Sequence, residues 1–587
     1  MRRFINTQTQ AFLSSFLFVL IAIAGCSGGN SNPTPIAATA QPASNSKHAI
    51  DPPEVTNGER LFLETRFAQF FKTYLDAGGN VNVPLPAGDP VMNLTATTGP
   101  GQGFPGPFAG LSMNCRACHL VDEHVGTAGG GMRTYGDFAR RSPIPARADG
   151  KTAAPRNSPP LVNASLARAG GSLFHFDGEF STMTGLTAAT FTSRNFGWVP
   201  GEKAQAITHV ARIVREDDGT GALAQEFGGL PLAVMLTGSG QAIPNEFRIP
   251  PAFRVKVAKA TDEEVFEGVV RLVSAYVEQL VFSQDDAGDF NLSPFDVFLT
   301  RNGLPKKPAD NESSIDYSRR LRSLIAGHEK ANTVQFVFAN PNSVDGRFQF
   351  HDQEFRFGPD ELAGLKLFLS EPATMPPSPQ DLSRGGIGNC LACHAAPTFT
   401  DFKLHNTGTA QTEYDAIHGK GQFARLAVPS LTERNANPEE YLPATHDHPA
   451  YQEPFRAIPT ATDPRLTDLG VWNIFVNPDM PATQTTIRAL LCQERPAPCQ
   501  SDSDLLSSTI ARFKTPGLRD LGHSAPYMHN GQFERIENVL AFYIDSADLA
   551  RQGKLRNGAP ALAGIALVRQ DIATLTAFLK SLNEDYE

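Results

Sequence analysis

Residues 115–119 read Cys-Arg-Ala-Cys-His, and residues 390–394 read Cys-Leu-Ala-Cys-His. Each run sets two thiols three positions apart with an imidazole directly after the second. Covalent attachment of a c-type haem requires that set: two thiols form thioethers with the vinyl groups, and the His reaches the iron from the proximal side. Zinc is the competing use of a CxxC pair, but neither pair has a second pair nearby to complete four ligands. With 7 Cys and 14 His in 587 residues, chance alone yields about 0.002 such motifs. Two occurrences therefore read as two covalently bound haem c groups. Cys115, Cys118 and His119 serve one; Cys390, Cys393 and His394 serve the other.

The flanking sequence repeats one plan. NGERLFLETRFAQFF (57–71) and PDELAGLKLFLS (359–370) each carry apolar residues at helical spacing, and each precedes a CxxCH run. Strand signals are sparse. The expected fold is mainly α, with two cytochrome c-like haem domains, long loops and insertions. The expected layout is a lipoprotein signal peptide at 1–26, a disordered tether at 27–55, an N-terminal haem domain at 56–302, an inserted connecting segment at 303–358 and a C-terminal haem domain at 359–587.

At the N-terminus, Arg2 and Arg3 precede an apolar stretch, Ala11 to Ile23, that is too short to span a bilayer. Ile23-Ala24-Gly25-Cys26 then resembles a bacterial lipobox, which makes Cys26 the lipidated residue; a plain signal peptide with a stray Cys is the alternative. The next twenty residues are rich in Gly, Ser, Pro and Asn and have little to bury. Acyl chains on Cys26 predict a body held at a bacterial membrane by lipid only, in the periplasm or at the cell surface. A net charge of −10 and the lack of a Lys/Arg cluster argue against nucleic acid as a partner. Beyond Cys26 and the haem motifs, only Cys492 and Cys499 remain. In an oxidising compartment they read as a disulfide, with two free thiols as the other reading.

Longer stretches resemble the bacterial di-haem cytochrome c peroxidase and MauG family. GNCLACHAAPTFTDFKLHNTG (388–408) and FKTPGLRDLGHSAPYMHNGQFERIENVLAFY (513–543) resemble its C-terminal half. RNSPPLVNASLARAGGSLFHFDGEF (156–180) and VVRLVSAYVEQLVFSQDDAGDFNLSPFDVFL (269–299) resemble its N-terminal half more loosely. The likeness covers most of 56–300 and 359–550, with insertions around 78–112, 303–358 and 433–507. It implies two haem domains facing each other across one calcium ion, hydrogen peroxide as oxidant at one haem, and a second haem relaying electrons to or from a donor protein or organic substrate. Asn163 matches the family's side-chain calcium ligand, and Ser524 and Pro526 match positions whose carbonyls face the same ion; oxygen-only ligation suits calcium.

The chain departs from the family at two points. The aromatic position between the haems is Phe176 rather than Trp, so it has no indole N–H. The family's acid some twenty positions later has no counterpart in FTSRNFGWVPGE (191–202) before Glu202, so the distal acid of the first haem is unidentified. Trp198 is an alternative bridging aromatic. At the second haem, the residue seventeen positions after Pro526 is Tyr543, where typical peroxidases carry Met and the MauG branch carries Tyr as the distal ligand. Ile536, Val539, Leu540 and Tyr543 share one helical face. Met528 and His529 are rival ligands, and a core Tyr bonded to a neighbour is the plain reading. The implied function is reduction of peroxide, or its use to oxidise a partner, by electron transfer between two haems. The alternative is a lipid-tethered di-haem electron carrier without peroxidase activity.

Overall fold

Helix Asp262–Gln279 starts on a capping box. The Thr261 hydroxyl accepts from the Glu264 N–H at 3.2 Å, and the Glu264 carboxylate accepts from the Thr261 N–H at 2.8 Å. Its apolar face, including Val265, Val269, Leu272 and Tyr276, is buried against helix Pro53–Phe62. The two backbones meet at Gly58, where a Cβ would overlap the Leu272 carbonyl. The second half repeats the device: helix Pro359–Phe368 crosses helix Asp571–Lys580, and a Cβ on Gly364 would overlap the Thr574 carbonyl. Only glycine permits either approach.

This computed structural model describes residues 51–83, 114–115, 119, 151, 154–166, 168, 171–240, 242–348, 351–493, 499 and 501–585. The signal segment with Cys26, most of the tether and Cys118 lie outside them. The described chain is mainly α; its one sheet pairs Leu404–His405 antiparallel with Phe513–Lys514. No described helix is long and apolar enough to cross a membrane.

Residues 57–71, expected as one helix, form two. Helix Pro53–Phe62 ends, the chain turns, and helix Gln69–Asp76 follows. The turn brings Glu64 and Arg66 inward, where Arg66 bonds both Glu64 and the buried Asp217, the latter at 2.9 Å. Periodicity alone does not register an ion pair that closes over more than 150 residues.

Buried apolar residues form three clusters. One runs from Val55 to Phe290 and a second from Phe295 to Leu582. The third surrounds Trp472 and draws mainly on residues 404–513, so the stretch around 433–507 builds a core of its own. Segment 303–358 packs into the second cluster. Its helix Ser314–Ala331 buries Tyr317, Leu321 and Ile325, and the Ser318 hydroxyl accepts from the Ala396 N–H at 3.1 Å, two residues past a CxxCH run.

Candidate functional site

Both CxxCH runs hang from the end of their half's first helix. Asn114 donates to the Leu63 carbonyl at 2.8 Å, and the N–H of Gly388 donates to the Leu367 carbonyl at 3.0 Å. Within each run the His N–H closes back on the first Cys carbonyl, His119 on Cys115 at 2.9 Å and His394 on Cys390 at 2.8 Å. One local turn thus appears twice, although the two runs share only Cys, Ala and His.

His394 donates from Nδ1 to the Phe399 carbonyl at 2.8 Å. That bond assigns the ring proton to Nδ1 and leaves Nε2 as the lone pair available to a metal. Burial lowers the His394 pKa despite this bond, and it pushes His119 down to about 4. Both rings are therefore neutral at pH 7, as iron ligation requires.

Cys390, Cys393 and His394 line a cavity of about 310 Å³, and so do Ile536, Val539, Leu540 and Tyr543 from helix Ile536–Arg551. The face expected from the sequence is the face that meets this cavity. No described group hydrogen-bonds the Tyr543 hydroxyl, and burial raises its pKa, so the plain reading of a core Tyr tied to a neighbour finds no partner. The rivals Met528 and His529 line the same cavity, and the His529 ring stacks on Phe513 at 3.7 Å.

Arg168, Lys514, Arg519 and His405 are among the basic residues lining this cavity. Arg168 and Lys514 both donate to the Leu173 carbonyl, at 2.9 and 3.1 Å, and neither forms an ion pair with a described residue. Burial lowers Lys514 to about 7, helped by neighbouring Arg168, and lowers Arg168 to about 10. Basic groups without an ion-pair partner, beside two thiols and an imidazole, fit a haem, whose propionates would supply negative charge.

Cys115 and His119 line a second cavity of about 1090 Å³. Asn157, Ser158, Pro159, His175 and Phe176 line both cavities, so Phe176 stands in the wall between them. Trp198 does not: it is fully buried in the first core, 5.8 Å from the His209 ring, and lines neither cavity. Glu202 is also set aside. Its carboxylate accepts from the Val199 N–H at 3.0 Å at the start of helix Lys203–Glu216, and it does not line the His119 cavity.

Sequence reasoning missed the carboxylates that do face this cavity. Glu179 accepts from both His175 and Arg456, and the flanking Asp177 is held by Arg156 at 2.5 Å. Burial opposes ionisation of Glu179, but Arg456 outweighs it and holds the carboxyl well below the usual range. Glu453 meets Lys151 and Arg194. Arg456 and Glu453 come from the 433–507 insertion, more than 250 residues from the groups they pair with, and no motif marks them.

Asn163, Ser524 and Pro526 all line the His394 cavity. Asn163 Oδ1 accepts from the Phe282 N–H at 2.9 Å, and the Pro526 carbonyl accepts from Asn157 Nδ2 at 2.6 Å. Each of those oxygens keeps a second lone pair. Cys492 and Cys499 are joined as a disulfide with Cα atoms 5.3 Å apart.

Comparison with known proteins gives partial matches. The cytochrome-c peroxidase IdrP2 of Pseudomonas sp. (strain SCT) is 40% identical over 200 residues, 34% of this chain and 37% of its own. IdrP2 of Denitromonas iodatirespirans is 24% identical over 198 residues, with the same shares. Over these stretches the chain is similar to cytochrome-c peroxidases. The matched stretch spans little more than a third of these relatives' length. No family model matches. The diheme peroxidase BthA from Burkholderia thailandensis E264 aligns over 91% of this chain and 86% of its own at 15% identity, with a TM-score of 0.40. A MauG-like protein associated with microbial copper homeostasis aligns over 91% of both chains at 15% identity, with a TM-score of 0.37.

Proposed function

We propose that this protein is an exported, lipid-tethered di-haem c-type cytochrome that reduces hydrogen peroxide, or uses it to oxidise a partner, by electron transfer between two haems. The observation that carries the reading is the shared wall. Five residues, Phe176 among them, line both the His119 cavity and the His394 cavity, so two redox groups would lie on either side of one layer of protein. A haem at each site would supply the one-electron steps and an iron position for peroxide.

The chain's own residues have distinct tasks in this scheme. Cys115 and Cys118 would hold one haem, Cys390 and Cys393 the other, with His119 and His394 as proximal ligands. Tyr543, its hydroxyl unclaimed by any described group, would be the distal ligand in the His394 cavity. Asn163 Oδ1 and the carbonyls of Ser524 and Pro526 would hold one calcium ion between the halves. Cys26 would anchor the protein at a bacterial membrane, facing the periplasm or the cell exterior. The electron donor is a protein or an organic substrate.

Stopped-flow mixing of half-reduced holoprotein with hydrogen peroxide tests the reading. Rapid iron oxidation is expected; oxidation no faster than that of a fully ligated carrier cytochrome excludes it. The second reading, a carrier without peroxidase activity, is favoured by one feature, the Phe at 176, which supplies no indole to the shared wall.

A further inference from the structure

We propose that Glu453, brought to the His119 cavity by the segment around 433–507, is the residue that moves the peroxide proton there. The inference rests on the peroxide reading above and names a residue for it. Four carboxylates line that cavity among the described residues: Glu179, Asp447, Glu453 and Asp479. Asp447 is exposed. One oxygen of Asp479 is taken by Thr445 and His448, at 2.6 and 2.7 Å. Both oxygens of Glu179 meet Arg456, and one also meets His175. Glu453 differs in its partners. It is 6% exposed, and two cations, Lys151 and Arg194, both meet its Oε1, leaving Oε2 outside these ion pairs; Asp479 Oδ1 is likewise outside its contacts, but those are to a hydroxyl and an imidazole.

The backbone holds Glu453 in place. Its φ is +49°, a conformation that a Glu keeps only when its surroundings impose it. Its N–H donates to the Leu442 carbonyl at 3.2 Å, and its own carbonyl accepts from the Arg456 N–H at 3.1 Å. The same short turn thus presents a carboxylate at one end and the guanidinium that holds Glu179 at the other. A cavity lined by a positioned carboxylate with cations behind it suits a small neutral acid such as hydrogen peroxide.

In the step, Glu453 would take the proton from one peroxide oxygen and pass it to the other, which would leave as water as the O–O bond breaks. Haems held by the two CxxCH runs would supply two electrons, restored by an external one-electron donor, and two solvent protons would complete the reduction to a second water.

The test compares holoprotein with Glu453→Gln and Glu453→Asp, using Glu440→Gln on the insertion's surface as a control for handling. Cyanide binding, followed in the ferric spectrum, reads the same proton acceptor without turnover, because hydrogen cyanide must lose its proton to bind as an anion. Glu453→Gln should slow both peroxide reaction and cyanide binding at least about 100-fold and abolish the rising limb of their pH profiles. Glu453→Asp keeps the charge that Lys151 and Arg194 require, so it should retain the limb at a reduced rate. If Glu453→Gln fails to assemble, a parent-like rate in Glu453→Asp overturns the inference. A reactive parent with an equally reactive Glu453→Gln overturns it and spares the peroxide reading. A parent inert to peroxide overturns both.

Discussion

The Nδ1–H of His394 points at the carbonyl of Phe399, 2.8 Å away, from a backbone position with φ +54°. The Phe399 ring is fully buried among Phe295, Phe368 and Phe578, at centroid distances of 5.6 to 5.9 Å. The packing of the second core thus holds the carbonyl that sets the imidazole's tautomer. Phe399→Ala should cost about 3–5 kcal/mol in denaturant unfolding and perturb the spectrum of the His394 haem alone. Equal perturbation of both haems would show that the ring does not act through His394.

Replacing Cys390 and Cys393 together by Ala should remove one covalent haem from the mature protein, and replacing Cys115 and Cys118 should remove the other. Intact mass after maturation with a cytochrome c assembly system reads the result directly. A parent mass corresponding to one haem, or none, contradicts the two-haem reading.

Tyr543→Phe should change the ferric spectrum of one haem and raise its reduction potential, because an anionic oxygen ligand favours the higher oxidation state and its loss removes that bias. Spectroelectrochemical titration resolves the two centres. Unchanged spectra and potentials would exclude Tyr543 as a ligand and turn attention to Met528 and His529 on the same cavity.

Acid should weaken the contact between Arg156 and Asp468, which joins the two halves of the sequence at 2.6 Å. Burial opposes ionisation of Asp468, but Arg156 outweighs it and brings the carboxyl from 3.8 to about 2. A carboxyl held low stabilises the fold above its unfolded value, and that contribution is lost as pH falls from about 4 through about 2, here about 2 kcal/mol. Arg156→Met should destabilise the protein by about 3–5 kcal/mol at pH 6, since it strands Asp468 and Asp177 without their partner. It should also remove about 2 kcal/mol of the parent's loss on acidification. Urea unfolding at several pH values checks both; a parent–variant difference that stays constant between pH 5 and pH 2 would assign the acid sensitivity elsewhere.

Local chemistry was legible in the sequence. Two CxxCH runs mark the residues expected to attach haem, because thioether formation and proximal ligation need groups within one turn of chain. The 3.6-residue spacing of Ile536, Val539, Leu540 and Tyr543 placed these residues on one face, and that face meets the cavity. The mainly helical fold followed from the same periodicity. Between the halves, the position of Phe176 was legible only through resemblance.

What only the tertiary structure decided depends on contacts between distant residues. Glu453 and Arg456 enter the His119 cavity from an insertion in the second half of the chain and pair with Arg194 and Glu179 in the first. The break at Leu63–Ala68 depends on an ion pair to Asp217, and the third core depends on how the stretch around Trp472 folds on itself. Periodicity and motif spacing report the few residues that one turn of backbone brings together. Burying a charge requires a counter-charge from wherever the fold can supply one, and for this cavity the supplier lies more than 250 residues away.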